Sequence, residues 1–129
     1  GMDAGKIYNS WPMMGSNFFP DDSRYNEFLS LKVFDNPSIV QFLHRLLAYL
    51  IIVNYIYLLI LAFKETNKVV LKPVLIIGII LLFQVGLGIL TILSGVKIVY
   101  ASLHQINSIF IILSTLYFLY ISKYKDVIN

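Results

Sequence analysis

The sequence predicts an all-α protein, a polytopic membrane helix bundle with three transmembrane helices. Hydrophobic residues fill 58% of its 129 positions and charged residues 13%, more apolar surface than a soluble domain of this size can hide. The apolar residues also run on for long enough to cross about 30 Å of hydrocarbon at about 1.5 Å per residue. Finally, the hydrophobicity is continuous rather than alternating, which excludes a membrane β-barrel.

Residues 1–36 read as a loop on the outer side of the membrane, whose Gly1–Gly5 start reads as the end of something rather than a beginning, and residues 37–129 as the transmembrane bundle. Within the loop, WPMMG and NFFP have turn-forming character, and Trp11, Phe18 and Phe19 suit the headgroup level. Asp21-Asp22 reads as solvated loop. The first helix is expected over about 37–63. Asn36 is its N-cap and Pro37 its first residue, where the missing N–H costs nothing. The second is expected over about 73–96, again entered through a proline, and the third over about 100–122.

The connector KETNKVVLK holds Lys64, Lys68 and Lys72, and the segment after the third span holds Lys123 and Lys125. Three spans put both segments on one side, which the positive-inside rule makes cytoplasmic, or the matrix in an organelle. Lys6, Arg24, Lys32 and Lys97 lie opposite, so the density of lysines along short segments decides the assignment. A formal charge of +3 without a basic face carries no nucleic-acid message. The chain has 0 cysteines, which excludes disulfides, thiolate metal sites and covalently attached heme. No nucleophile–base pair, phosphate loop or carboxylate cluster is visible, and no catalytic residue is assigned.

What remains is a pair of histidines. His44 in QFLHRLLAY and His104 in ASLHQINS each lie near the start of a span. The first and third spans run parallel, so both imidazoles fall roughly 5–10 Å below the outer helix ends. An imidazole in hydrocarbon is costly without a partner, and two facing imidazoles are what a b-type heme iron needs for axial ligation. Gln41, His44, Ala48, Ile51 and Tyr55 recur at helical spacing on the first span; His104, Asn107, Ser108, Ile111 and Thr115 do so on the third. Ala48 and Ser108 are small residues one turn beyond each histidine, leaving clearance for a flat macrocycle. Gly78, Gly86, Gly88 and Gly95 permit close approach to the second span, and Gln84 in its middle is expected to face the bundle interior. Arg45 points about 100° away from His44, either snorkelling to the outer headgroups or pairing with a heme propionate. Lys97 is a second candidate for the propionate, with Tyr8 and Asn9 weaker ones. A proton relay, a transition-metal site or structural hydrogen bonding are the other readings of the histidines.

Three motifs in order, DAGKIYNSWPMMG at 3–15, NPSIVQFLHRLLAY at 36–49 and FQVGLGILTILSGVKIVYASLHQ at 83–105, resemble the C-terminal half of the heme A synthase family, in its mitochondrial and α-proteobacterial form. The resemblance covers essentially the whole chain. It implies two similar four-helix halves and oxidation of the C8 methyl of heme O to the formyl of heme A, for cytochrome oxidase biogenesis. It implies that His44 and His104 are the iron ligands of a b-type heme in this half, while the substrate heme belongs to the N-terminal half. This sequence would then hold the remnant of a preceding helix end at Gly1–Gly5 and three helices of an incomplete four-helix half-module, and lack the N-terminal half as a partner. Heme O synthase and cytochrome oxidase assembly factors are further partners the resemblance suggests, in a bacterial inner or mitochondrial inner membrane. The chain alone is expected to be inactive. A non-enzymatic b-type cytochrome subunit, or a membrane assembly protein with non-ligating histidines, are the alternative functions.

Overall fold

The structure, a computed structural model, describes residues 3–23, 31–66 and 68–124. Gly1, Met2, Arg24 and Lys125 lie outside the described residues. Three long helices follow an N-terminal loop: α1 (Pro37–Lys64), α2 (Leu71–Leu93) and α3 (Ile98–Tyr124). All three are long and apolar enough to cross a membrane.

Each helix end has a local cause. The Asn36 side chain accepts hydrogen bonds from the N–H groups of Ser38 at 3.0 Å and Ile39 at 3.4 Å, satisfying two donors that the first turn of α1 leaves free. Pro37 takes the first helical position. Helix α2 starts two residues before Pro73. A proline at the third position still lies among the first four residues, whose N–H groups have no helical acceptor. The same helix stops at Leu93, short of the expected 96, because Gly95 turns left-handed at φ 71°. Gly95 then donates to the Ile92 carbonyl and Val96 to the Thr91 carbonyl, closing the exposed end of the helix. Val96 itself sits at φ 60°, a conformation costly for a β-branched residue. A connector this short lets α3 begin at Ile98 rather than at 100.

Helix α2 is the centre of the bundle. It packs along α3 over much of its length and less extensively along α1, whereas α1 and α3 scarcely touch. Gly78 receives the hydroxyl end of Tyr55 from α1. The buried apolar set is small and centres on Ile39, Val70, Val74, Ile77 and Leu81. Most large apolar side chains face outward, with Leu82 74% and Phe83 65% exposed, as befits helices whose solvent is hydrocarbon.

The N-terminal loop is folded rather than merely laid on a surface. Met14 is fully buried, and its N–H donates to the Asn17 carbonyl. Asp21 organises the turn by accepting from the Ser16 N–H and from the Asn17 side-chain amide. Asp22 ties the loop to the first turn of α1. It accepts from the Tyr8 hydroxyl at 2.9 Å and the Ser38 hydroxyl at 2.7 Å. Both aspartates are exposed, as a solvated loop requires, and they also tie the loop together. Phe18 and Phe19 lean edge-on against Phe42, and Phe18 also stacks on Tyr49.

Candidate functional site

The two histidines come together. His44 is on the second turn of α1 and His104 on the second turn of α3, and their ring centroids lie 6.2 Å apart with the ring planes at 69°. Parallel helices entered from one side bring residues of similar rank to one level.

A second set of bonds orients His104. Its Nδ1 lies 3.1 Å from the backbone carbonyl of Gln84. A carbonyl only accepts, so Nδ1 carries the proton and Nε2 is the bare nitrogen. The Gln84 side-chain amide nitrogen stands 3.3 Å from that Nε2. Asn107 of α3 holds Gln84 in turn, donating to its Oε1 at 2.8 Å and to the Ile80 carbonyl at 3.0 Å. Gly88 lies one turn beyond Gln84 on the same face, and a β-carbon there would stand 3.0 Å from His104 Cε1. Thus α2 supplies a flat wall, a carbonyl and an amide to one imidazole. Gln84 faces the bundle interior, while Gly86 faces open space. Asn107 and Gly88 were visible as polar and small residues. Their partnership with Gln84 depends on the register of α2 against α3, although Gln84 and Gly88 at i, i+4 do mark one face.

His44 is exposed, and its ring makes no hydrogen bond among the described residues. Ala48 and Ser108 are both half-buried, and the Ser108 hydroxyl donates to its own helix at the Gln105 carbonyl. Gln41 does not share the environment of His44. It pairs with Arg45 one turn on, and both are buried under the N-terminal loop. The Arg45 guanidinium is turned into the loop, where its Nε is buried without a hydrogen-bond partner among the described residues. Nη1 donates to the Pro12 and Met13 carbonyls, and Nη2 to those of Tyr8 and Ser10, at 3.0–3.4 Å. The reason is steric as much as chemical, since the loop folds directly over that face of α1. Tyr8 is likewise committed to Asp22 and Gln41. Lys97 remains exposed in the α2–α3 connector.

The two imidazoles are of a kind that would hold a heme iron: a centroid spacing of 6.2 Å leaves room for one metal ion at about 2 Å from a nitrogen of each ring. A proton fixed on the outer ring nitrogen by a backbone carbonyl is the usual support of a metal-ligating histidine. A bare transition-metal ion is less well served, because no group of three or more His, Cys, Asp or Glu side chains gathers among the described residues.

Comparison with known proteins supplies the family. Residues 1–116 match the family model COX15-CtaA, described as cytochrome oxidase assembly protein. The chain belongs to this family. Similar proteins of known name include the heme A synthase of Pelagibacter ubique (strain HTCC1062), 48% identical over 123 residues, which are 95% of this chain and 35% of that protein. The heme A synthase of Rickettsia bellii (strain OSU 85-389) is 43% identical over 109 residues, 84% of this chain and 32% of that protein. That of Rickettsia felis is 38% identical over 112 residues, 87% of this chain and 33% of that protein. The chain thus spans about a third of the length of the curated relatives it matches. No solved structure matches it. Within the COX15-CtaA match lie both histidines, Gln84, Gly88, Asn107 and the loop that covers Arg45.

Proposed function

We propose that this chain is the C-terminal, heme-holding part of a heme A synthase, the membrane oxidoreductase that converts the C8 methyl of heme O to the formyl of heme A. His44 of α1 and His104 of α3 would hold the iron of a b-type heme. The observation that carries this reading is the 6.2 Å spacing of the two rings, brought together from helices that scarcely touch each other. A bound b-type heme supplies one-electron transfer there. This chain's residues bind and orient it. The Gln84 carbonyl keeps the His104 proton on Nδ1, Gly88 makes room for the imidazole, Ala48 and Ser108 are the small residues that would lie beside the macrocycle, and Lys97 is an exposed cation that would meet a propionate. Substrate oxidation belongs to the N-terminal part of the enzyme, which acts in a bacterial or mitochondrial inner membrane alongside heme O synthase and cytochrome oxidase assembly factors.

One observation favours a second reading. The Gln84 amide rests on His104 Nε2, the nitrogen that iron would take, so the histidine also serves as a hydrogen-bonded pin between α2 and α3. Purification in detergent with added hemin separates the two. A low-spin spectrum in the wild type, lost in both His44→Ala and His104→Ala, supports ligation. Its absence in the wild type leaves the pin. Co-expression with an N-terminal half tests the enzyme reading. Heme A should form, whereas persistent accumulation of heme O with both halves folded would count against it.

A further inference from the structure

Helices α1 and α3 scarcely touch, yet their histidines are held at a defined spacing. Contacts other than direct α1–α3 packing set that spacing, among them the packing of α2 on both helices. On one side α2 acts through Gln84, Gly88 and Asn107, but these residues hold only His104. The His44 turn is held from elsewhere. Gln41, three residues before His44, accepts from the Tyr8 N–H at 3.2 Å and donates to the Tyr8 carbonyl at 3.0 Å and the Gly5 carbonyl at 3.4 Å. Arg45, one residue after it, donates to four loop carbonyls. Seven hydrogen bonds thus fasten one turn of α1 to residues 5–13.

The same loop reaches the connector that leads into α3. Gly5 lies against Val96, whose Cγ2 would stand 3.4 Å from a β-carbon at position 5. Val96 ends the connector two residues before α3 and is held in a left-handed conformation. Such a conformation persists in a β-branched residue only when its surroundings over-determine it. The Arg45 guanidinium is 6% exposed, and every one of its acceptors is a neutral backbone carbonyl of the loop. Five donors in a rigid fork suit a clamp on several carbonyls at once in a way that lysine, a point charge on a flexible stem, does not reproduce.

We propose that the loop is a brace between the His44 turn and the entry to α3, and that Arg45 and Gln41 are positioning residues that set the spacing of the two imidazoles through it. Arg45 acts on the pair without touching the ligand slot. The heme arm of the test rests on the reading that the pair ligates heme; the distance arm does not.

The chain has no cysteine, so Ala48→Cys with Ser108→Cys, one turn inward from each histidine, gives a unique pair for nitroxide labels. Dipolar broadening between them reports the α1–α3 spacing in the apoprotein. In the Arg45→Met background the broadening is expected to weaken and the distance distribution to widen, with helix content by circular dichroism unchanged. Arg45→Lys should restore it only in part. Val96→Gly removes the loop contact and the strained backbone together, so it should fold and still widen the distribution. Unchanged broadening in both Arg45→Met and Val96→Gly, with the chain folded, overturns the brace. With hemin, Arg45→Met should convert part of the low-spin signal to high-spin. If the wild type shows no low-spin signal while the distance arm responds, the ligation reading fails and the brace stands.

Discussion

Gly86 and Gly88 differ by half a turn of helix and by almost everything in their surroundings. A β-carbon at 88 would stand 3.0 Å from His104 Cε1 and 3.4 Å from Nδ1, whereas nothing lies within 4 Å of one at 86. Gly88→Ala is therefore expected to push the imidazole off the Gln84 carbonyl, costing about 1–3 kcal/mol as an overpacked site and lowering the low-spin yield with hemin. Gly86→Ala should do the opposite to stability, adding up to about 1 kcal/mol by removing glycine's backbone freedom, with no change at the histidines. Thermal unfolding in detergent, read beside the hemin spectrum, checks both. Equal effects of the two substitutions would mean that the ring wall at Gly88 is not what holds His104. At this scale the sequence was partly legible. A lone amide in a membrane span has to face protein, so Gln84 could be placed inward from its chemistry alone. Arg45 could not be read, because its partners are backbone carbonyls 32–37 residues away and carry no side-chain signature.

Between elements, two ties are exposed to single changes. Asn107 is the donor that joins α3 to both Ile80 and Gln84 of α2. Replacing it with leucine strands the Gln84 Oε1 and should cost about 0.6–2 kcal/mol, the range for interhelical side-chain hydrogen bonds in membranes, seen as a lower unfolding midpoint. The loop-to-α1 tie depends on pH instead. Burial raises the Asp22 carboxyl, but hydrogen bonds from Ser38, Tyr8 and Ser23 outweigh it and hold the group below the usual carboxylate range. A depressed carboxyl stabilises the fold at pH above its unfolded value of about 3.9, and that contribution is lost as pH falls through the lower folded value. Hydrogen exchange at the loop amides should therefore rise over intrinsic rates once the pH drops below about 4, and Asp22→Asn should flatten that response. A wild-type loop with the same protection at pH 3 and pH 6 would remove Asp22 from the account. The helix starts were legible because capping is local: Asn36 and Pro37 carry the whole signal. The early end of α2 was not, since hydropathy continues past Leu93 and only the left-handed turn at Gly95 stops the helix.

Across the whole molecule, the order of three helices able to cross a membrane, among the described residues, is the strongest constraint. With each of them crossing, two passes return the chain to its starting side, so the loop, the α2–α3 connector and both histidines share one face and the Lys64–Lys72 connector takes the other. The fold class was legible because three apolar runs admit no other arrangement of their backbone polar groups in hydrocarbon. Which helix would lie at the centre was not, because α1, α2 and α3 are all largely apolar and only the glycines of α2 distinguish it. Orientation follows from where lysines are densest, and it is open to direct measurement since the native chain has no thiol. Met13→Cys puts one on an exposed side chain of the loop, and Thr66→Cys puts one in the exposed connector between α1 and α2. A membrane-impermeant maleimide applied to spheroplasts should label Met13→Cys at once and Thr66→Cys only after permeabilisation. The reverse pattern would invert the molecule, turning the histidine pair and its brace toward the cytoplasm. Labelling of both thiols from the outside would break the three-span topology itself, and with it the shared depth that brings His44 to His104.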